Sequence, residues 1–371
     1  MEGRKVTSNR KRIDPYALIL VVLLAVAGYI IYFSASFGRL ATSEELLLGG
    51  SFLKQLIVGV IGGGIALLAC STIPSRYIQN IAFVLIPVAI IINLLVVFTS
   101  LGIEAGGARR WLDLGFISLQ PSELLKYVTI VVYATFLAKF KERIGQFKYG
   151  LLPLLIASGV VTVLMLLQKD TDVITIMALS AMFFVAGGRW RDLGILLLIG
   201  IIGVGYLAVS RPYIQARIMS FVYPDQNSLT TSYQLQQSLI AIGSGGMWGR
   251  GFGQSVQKFQ YLPEPTGDSI FAVFAEEFGF AGTSILVILF SALCLRLLTL
   301  AREVKSVYAR SVIIGFTCLI IGQSFMNMGA MAGILPLTGV PLAFISQGGT
   351  ALVFALAGVG TALGAAREFR A

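Results

Sequence analysis

Long apolar runs decide what this chain can fold into. They occur at about 16–36, 52–71, 77–99, 122–138, 150–167, 171–187, 192–209, 269–295, 310–333 and 341–364. Roughly 20 apolar residues suffice to carry a helix across a ~30 Å hydrocarbon layer. A backbone in that layer must satisfy its own hydrogen bonds, so such runs become helices. The expectation is an all-α polytopic membrane protein with ten transmembrane helices, a single membrane domain over 1–371. An even number of crossings puts both termini on one side.

Charge placement supports this. Only 12% of residues are charged, against roughly 25% in a soluble domain. The net charge of +10 does not point to nucleic acid, because Lys and Arg fall in short clusters between apolar runs. With the N-terminus inside, the inner loops collect about twice as many cations as the outer ones, as the positive-inside rule requires. The basic tail 1–14 is then cytoplasmic. The run behind it has no small-residue cleavage site, so it is read as the first membrane helix and not as a signal peptide. One connection is long: residues 210–268, outside, between helices 7 and 8. Within it 232–243 has the pattern of an amphipathic helix on the membrane surface, and 243–253 reads as a flexible glycine turn. No internal repeat is apparent.

Chemistry is restricted by what is missing. Histidine is absent, which removes the commonest base and metal ligand. Cys70, Cys294 and Cys318 show no CxxC spacing, so neither a disulfide framework nor a zinc site is expected. Acid–base work therefore falls to Asp, Glu, Lys, Tyr or Cys. Asp268 stands just before the apolar run S-I-F-A-V-F-A. It could simply cap that helix, but a carboxylate beside apolar surface has its pKa pushed towards a general base's range. Glu276 and Glu277 lie deeper in the same helix and read as structural support, with Lys126 as their expected cationic partner; Glu123 shares a face with Lys126. Arg109, Arg110 and Trp111 face outwards, where arginines suit phosphate and a Trp suits a membrane belt. The glycine run 249–253 lacks GxGxxG and a Walker lysine and does not signal nucleotide binding. Gly59 and Gly62–Gly64 read as a close helix approach. Pro336 and Pro341 close an outer turn, or break a helix end beside a cavity.

Four stretches together resemble a known family. They are G-A-R-R-W-L-D-L-G…Q-P-S-E-L-L-K at 107–126, Y-Q…Q-S…A-I-G-S-G-G…G-R-G-F-G at 233–253, Y-L-P-E…D-x-I-F-A-V…E-E-F-G at 261–279 and P-L-T-G-V-P-L-A-F-I-S-Q-G-G at 336–349. In order and spacing they resemble the SEDS family of bacterial cell-wall proteins, which includes FtsW, RodA and SpoVE. The stretch Q-K-F-Q-Y-L-P-E at 257–264 is more like the FtsW branch. The resemblance implies ten helices and a peptidoglycan glycosyltransferase in the bacterial cytoplasmic membrane. Such an enzyme polymerises lipid II on the outer face, releases polyprenyl diphosphate, and works with a class B penicillin-binding protein and other divisome or elongasome membrane proteins. It places the essential acid on Asp268.

Under that resemblance Arg109, Arg110, Lys126 and Trp111 are candidates for substrate contacts, followed by Arg217, Arg250 and Glu264. Glu123, Glu276 and Glu277 are supports. The sequence shows no dedicated metal cluster, though a divalent cation, Mg²⁺ or Mn²⁺, could share the diphosphate. A lipid II flippase and a non-catalytic scaffold for the penicillin-binding protein are the alternatives. Three departures stand out. Thr266-Gly267-Asp268 replaces the usual H-T-D, Q-K-D-T-D at 168–172 puts Asp172 where Gly is usual, and Ala343 and Gln347 replace the usual Pro and Tyr.

Overall fold

The structure is a computed structural model that describes residues 12–40, 50–105, 108–113, 115, 118–170, 173–222, 231–259 and 261–370. Most of the expected basic tail, and Asp172, lie outside the described residues. The fold is mostly helical. In chain order come α1 (Pro15–Leu40), then α2 (Gly50–Lys54), a π-helical stretch Gln55–Gly62 and α3 (Gly63–Thr72), which together make one apolar rod, then α4 (Ser75–Phe98). A small sheet follows, of β1 (Gly102–Ala105), β2 (Ala108–Asp113) and β3 (Ser118–Leu119), ordered β1-β2-β3 and antiparallel throughout. The rest is helical: α5 (Pro121–Lys139), α6 (Leu151–Leu167), α7 (Val173–Val185), α8 (Trp190–Ser210), α9 (Pro212–Val222), α10 (Thr231–Ser244), α11 (Ile270–Glu303), α12 (Val307–Met331) and α13 (Gly349–Phe369).

Among the described residues, seven helical segments are long and apolar enough to cross a membrane, with α6 and α7 shorter. Their ends follow local chemistry. Asp14 accepts the Ala17 N–H at 3.0 Å ahead of α1, Pro121 opens α5, and Ser306 caps α12; each supplies or dispenses with a donor left over at a helix start. At the centre, α12 packs against α5, α7, α11 and α13, burying Phe290, Phe316, Val312 and Ile313. Gly59 and Gly63 do serve close packing: a Cβ on them would come 3.1 Å from Leu352 Cδ2 and 2.6 Å from Leu356 Cδ1 of α13, whereas Gly64 faces open space.

Four expectations need correction. The run 341–364 is not one helix, because residues 341–348 are non-helical and α13 starts only at Gly349. Pro341 withholds a donor there, and Phe344 and Gly348 have φ of 65° and 156°. Residues 342–346 are nevertheless buried, and all but Ile345 line a cleft with Pro341, so this is a re-entrant segment: of the two readings, the broken helix end beside a cavity holds and the outer turn does not. The helix expected at 232–243 is present as α10, but it packs on α11 with Leu235 and Ala241 buried, and the same loop also carries α9.

The glycine turn at 243–253 is not a loose one. Gly279 breaks the helical path of α11 with φ 64° and ψ −163°, which frees backbone groups on both sides. The turn takes them up. Arg250 and Gly251 N–H donate to the carbonyls of Glu276 and Glu277 at 3.0 and 2.9 Å, while Phe280 and Ala281 N–H donate to the carbonyls of Gly246 and Met247 at 2.9 and 3.0 Å. Unpaired backbone groups at such depth would each cost several kcal/mol, roughly.

The fourth correction concerns Glu276 and Glu277, whose partner is not Lys126. Lys258 Nζ lies 2.7 Å from Glu277 Oε1 and donates to Ser34 Oγ and Ser34 O of α1 at 3.2 and 3.1 Å. Ser255 Oγ and the N–H groups of Val256 and Gln257 donate to Glu276, and Arg250 Nε stands 3.5 Å away. Lys126 instead pairs with Glu123 on its own helix at 2.6 Å.

Candidate active site

The stretch 261–269 leads into α11 as a series of turns, and the re-entrant segment holds it in place. Gln347 N–H donates to the Thr266 carbonyl at 2.8 Å. Ser346 Oγ donates to the Gly267 carbonyl at 2.8 Å. Asn327 Nδ2, from α12, donates to the carbonyls of Asp268 and Val340, both at 2.8 Å. Three consecutive carbonyls are therefore pinned, and Asp268 is left half-buried. It does not cap α11. Ser269 occupies the cap position, without a side-chain capping bond.

The Asp268 carboxylate faces Arg217 across Gly339. A Cβ built on Gly339 would stand 3.3 Å from Asp268 Oδ2 and 3.2 Å from Arg217 Nη2. That gap, together with a φ of 71°, explains why a residue without a side chain occupies the position. Arg217 is itself fixed by donating from Nη1 to the Thr338 carbonyl at 2.8 Å. Burial is the largest influence on Asp268, followed by the negative charge of Glu264; Arg110 and Arg217 act in the opposite sense, and Asp170 adds a smaller upward push. The result is a carboxyl pushed up to about 6, ionised at neutral pH yet basic enough to take a proton.

The two arginines of 109–110 part company. The pairing of β1 with β2 shifts register between Ile103 and Glu104, leaving Arg110 as the extra residue of a bulge, a device that re-aims a side chain. Arg110 donates from Nε to the Gln168 carbonyl and from Nη2 to the Lys169 carbonyl, at 3.1 and 2.6 Å, and its charge acts on Asp268. Arg109 reaches the Thr99 carbonyl at the end of α4 at 3.4 Å. Trp111 pairs with Ile103 in the sheet, half-buried. Glu264, exposed and at φ 47°, lends its carbonyl to the N–H groups of Gly267 and Ser269.

The structure thus gathers Asp268, Arg217, Arg110 and Glu264. It sets Arg250, Glu276 and Glu277 apart, at the Gly279 break. Glu123, paired with Lys126, lines a small cleft of about 30 Å³ together with Tyr127, Gln323, Phe344 and Gln347. That cleft meets the Asp268 turn through Gln347, whose Oε1 accepts from Thr266 Oγ1 at 2.7 Å. Asn327 and Lys258 have no place among the candidate residues of the sequence reading, and Gln347 enters it only as a departure from the family pattern. Asn327 carries a visible signal, as a polar side chain inside an apolar helix. Lys258 is one cation in the 210–268 loop with no local pattern to single it out. Among the described residues no three His, Cys, Asp or Glu side chains group closely enough to hold a metal ion, so no step of the chemistry is assigned to one.

Fold and site together define a polytopic helical membrane protein with a half-buried carboxylate set among arginines at one end of its bundle. The chain belongs to the SEDS family: residues 15–370 match the cell cycle protein family of FtsW, RodA and SpoVE, and the chain is FtsW-like. It is 34% identical over 377 residues to stage V sporulation protein E of Bacillus subtilis (strain 168), covering 98% of this chain and 100% of that one. It is 36% identical over 322 residues to a probable peptidoglycan glycosyltransferase FtsW of Coxiella burnetii (strain RSA 493 / Nine Mile phase I), covering 85% and 86%. The solved structure of the rod shape determining protein RodA of Thermus thermophilus superposes with a TM-score of 0.68 at 26% identity, over 96% of this chain and 97% of that one. The fold also matches a chain of a peptidoglycan synthase complex with a TM-score of 0.76, at 24% identity and over 96% and 98%.

Proposed function

We propose that this protein is a peptidoglycan glycosyltransferase that polymerises lipid II on the outer face of the bacterial cytoplasmic membrane, during division or another shape-related phase of wall synthesis. The chain crosses the membrane ten times with both termini inside. The observation that carries the mechanism is the placement of Asp268, half-buried and pushed up to about 6, facing Arg217 across Gly339 and within the field of Arg110.

Asp268 takes the proton of the acceptor's 4-hydroxyl as that oxygen bonds to the anomeric carbon of the donor sugar. The bond from that carbon to the polyprenyl diphosphate breaks, and the diphosphate leaves with the electron pair. Arg217 and Arg110, each anchored by backbone carbonyls, face the leaving charge with little reorganisation. Glu264 keeps the base strong. Lys126, held by Glu123, is a sugar contact, and Arg109 and Trp111 border the approach. Glu276, Glu277 and Arg250 hold the loop above the break in α11. A divalent cation, Mg²⁺ or Mn²⁺, would arrive with the diphosphate and not in a protein cage. The product strand passes to a class B penicillin-binding protein, in keeping with the likeness to a chain of a peptidoglycan synthase complex.

Purified protein, its penicillin-binding partner and lipid II in vesicles test the reading. Glycan polymer forms, and Asp268→Asn abolishes it. Movement of lipid II across the bilayer without polymer, unaffected by Asp268→Asn, would identify a flippase instead.

A further inference from the structure

Two departures from the family pattern, separated by 81 residues in the chain, meet in space. Thr266 stands where the family usually has His, and Gln347 where it usually has Tyr. They share two hydrogen bonds: Thr266 Oγ1 donates to Gln347 Oε1 at 2.7 Å, and Gln347 N–H donates to the Thr266 carbonyl at 2.8 Å. Thr266 is buried, and Gln347 is half-buried on the wall of the cleft that holds Glu123 and Gln323.

We infer that Thr266 and Gln347 are a matched positioning pair, which sets how deeply the turn carrying Asp268 sits and couples it to the cleft below. The inference rests on the proposed role of Asp268. Between Thr266 and Asp268 stands only Gly267, which has no side chain to brace the turn, so Thr266 is the nearest residue on that side able to do so. The other ties in this stretch, from Ser346 and Asn327, reach backbone carbonyls. The Thr266–Gln347 bond joins side chain to side chain on the near side of Asp268, as Gln234 Nε2 donating to Ser269 Oγ at 2.9 Å does on the far side.

The test measures polymer formation from lipid II, with its partner protein present, for Thr266→Val, Gln347→Leu, the double variant and Thr266→Ser. Losing the bond loosens the turn and admits water around Asp268, whose charged neighbours are Glu264, Asp170, Arg110 and Arg217. The expected result is a fall of about five- to tenfold in kcat with little change in KM for each deletion. The acid limb of the pH profile moves down by about half a unit. The double variant is no worse than the worse single, because both remove one bond. Thr266→Ser keeps the hydroxyl and restores both readouts. Melting temperatures taken alongside separate positioning from misfolding. Folded deletions with wild-type kcat and an unmoved limb, or multiplicative effects in the double variant, overturn the pairing. If Asp268→Asn retains activity, the reading of the base itself fails, a distinct outcome.

Discussion

Asp268 is a base because of its surroundings, and the surroundings can be altered one at a time. The rate should fall as pH drops through about 6, since the carboxylate must be unprotonated to act. Glu264→Gln removes a negative neighbour and should move that acid limb to lower pH. Arg217→Gln removes a stabilising cation, so the limb should move to higher pH while the rate plateau falls by about tenfold or more. Initial polymerisation rates between pH 5 and 8 check both directions. Equal shifts of one sign in the two variants would mean that the limb belongs to another group. Asp268 was legible in the sequence as an acid at the start of an apolar run. Its anchoring was not, because Asn327, Gly339, Ser346 and Gln347 approach from a part of the chain about 60–80 residues away, where no local pattern reports them.

At the scale of elements, the decisive feature is the break in α11. Gly279 sits at φ 64°, and a Cβ there would lie 2.3 Å from the Gly249 N. Gly279→Ala should therefore destabilise by about 2 kcal/mol or more. Lys258 and Glu277 are both buried beside it. Lys258→Met leaves the Glu277 charge uncompensated and should cost about 3–5 kcal/mol, whereas Lys258→Met with Glu277→Leu recovers most of that. Thermal unfolding in detergent measures all three. A double variant no more stable than Lys258→Met would show that the pair does more than neutralise charge. Each expected apolar run coincides with helix over most of its length, because burial in an apolar layer leaves the backbone no other choice. The break at Gly279, the sheet 102–119 and the non-helical 341–348 escaped, because each depends on backbone partners far away in the chain. The exchange between Glu276–Ala281 and Gly246–Gly251 is one such case.

For the whole molecule, the two ends of the chain are joined to α11. Asp14 lies against Arg296 and 3.6 Å from Arg370, which also reaches Glu303 at 2.6 Å. The hydrogen bond from Arg296 holds the Asp14 carboxyl below its usual 3.8. The stabilisation is therefore complete above that value and is lost as pH falls through the lower, folded one. Asp14→Asn should lower the melting temperature at pH 7, by about 2 kcal/mol in stability, and the deficit should shrink towards pH 3. A constant deficit at both pH values would place the effect in the Asp14 cap on Ala17 and not in the ion pair. This girdle and the Gly279 clamp hold opposite ends of α11, and the helix presents Asp268 at its start. The central claim is that this one carboxylate performs the proton transfer. It is tested most directly by the rate of glycan polymerisation from lipid II in vesicles, comparing wild type with Asp268→Asn at equal melting temperature and with the same penicillin-binding partner. A fall of about a hundredfold or more is predicted, and a rate within about twofold of wild type would contradict it.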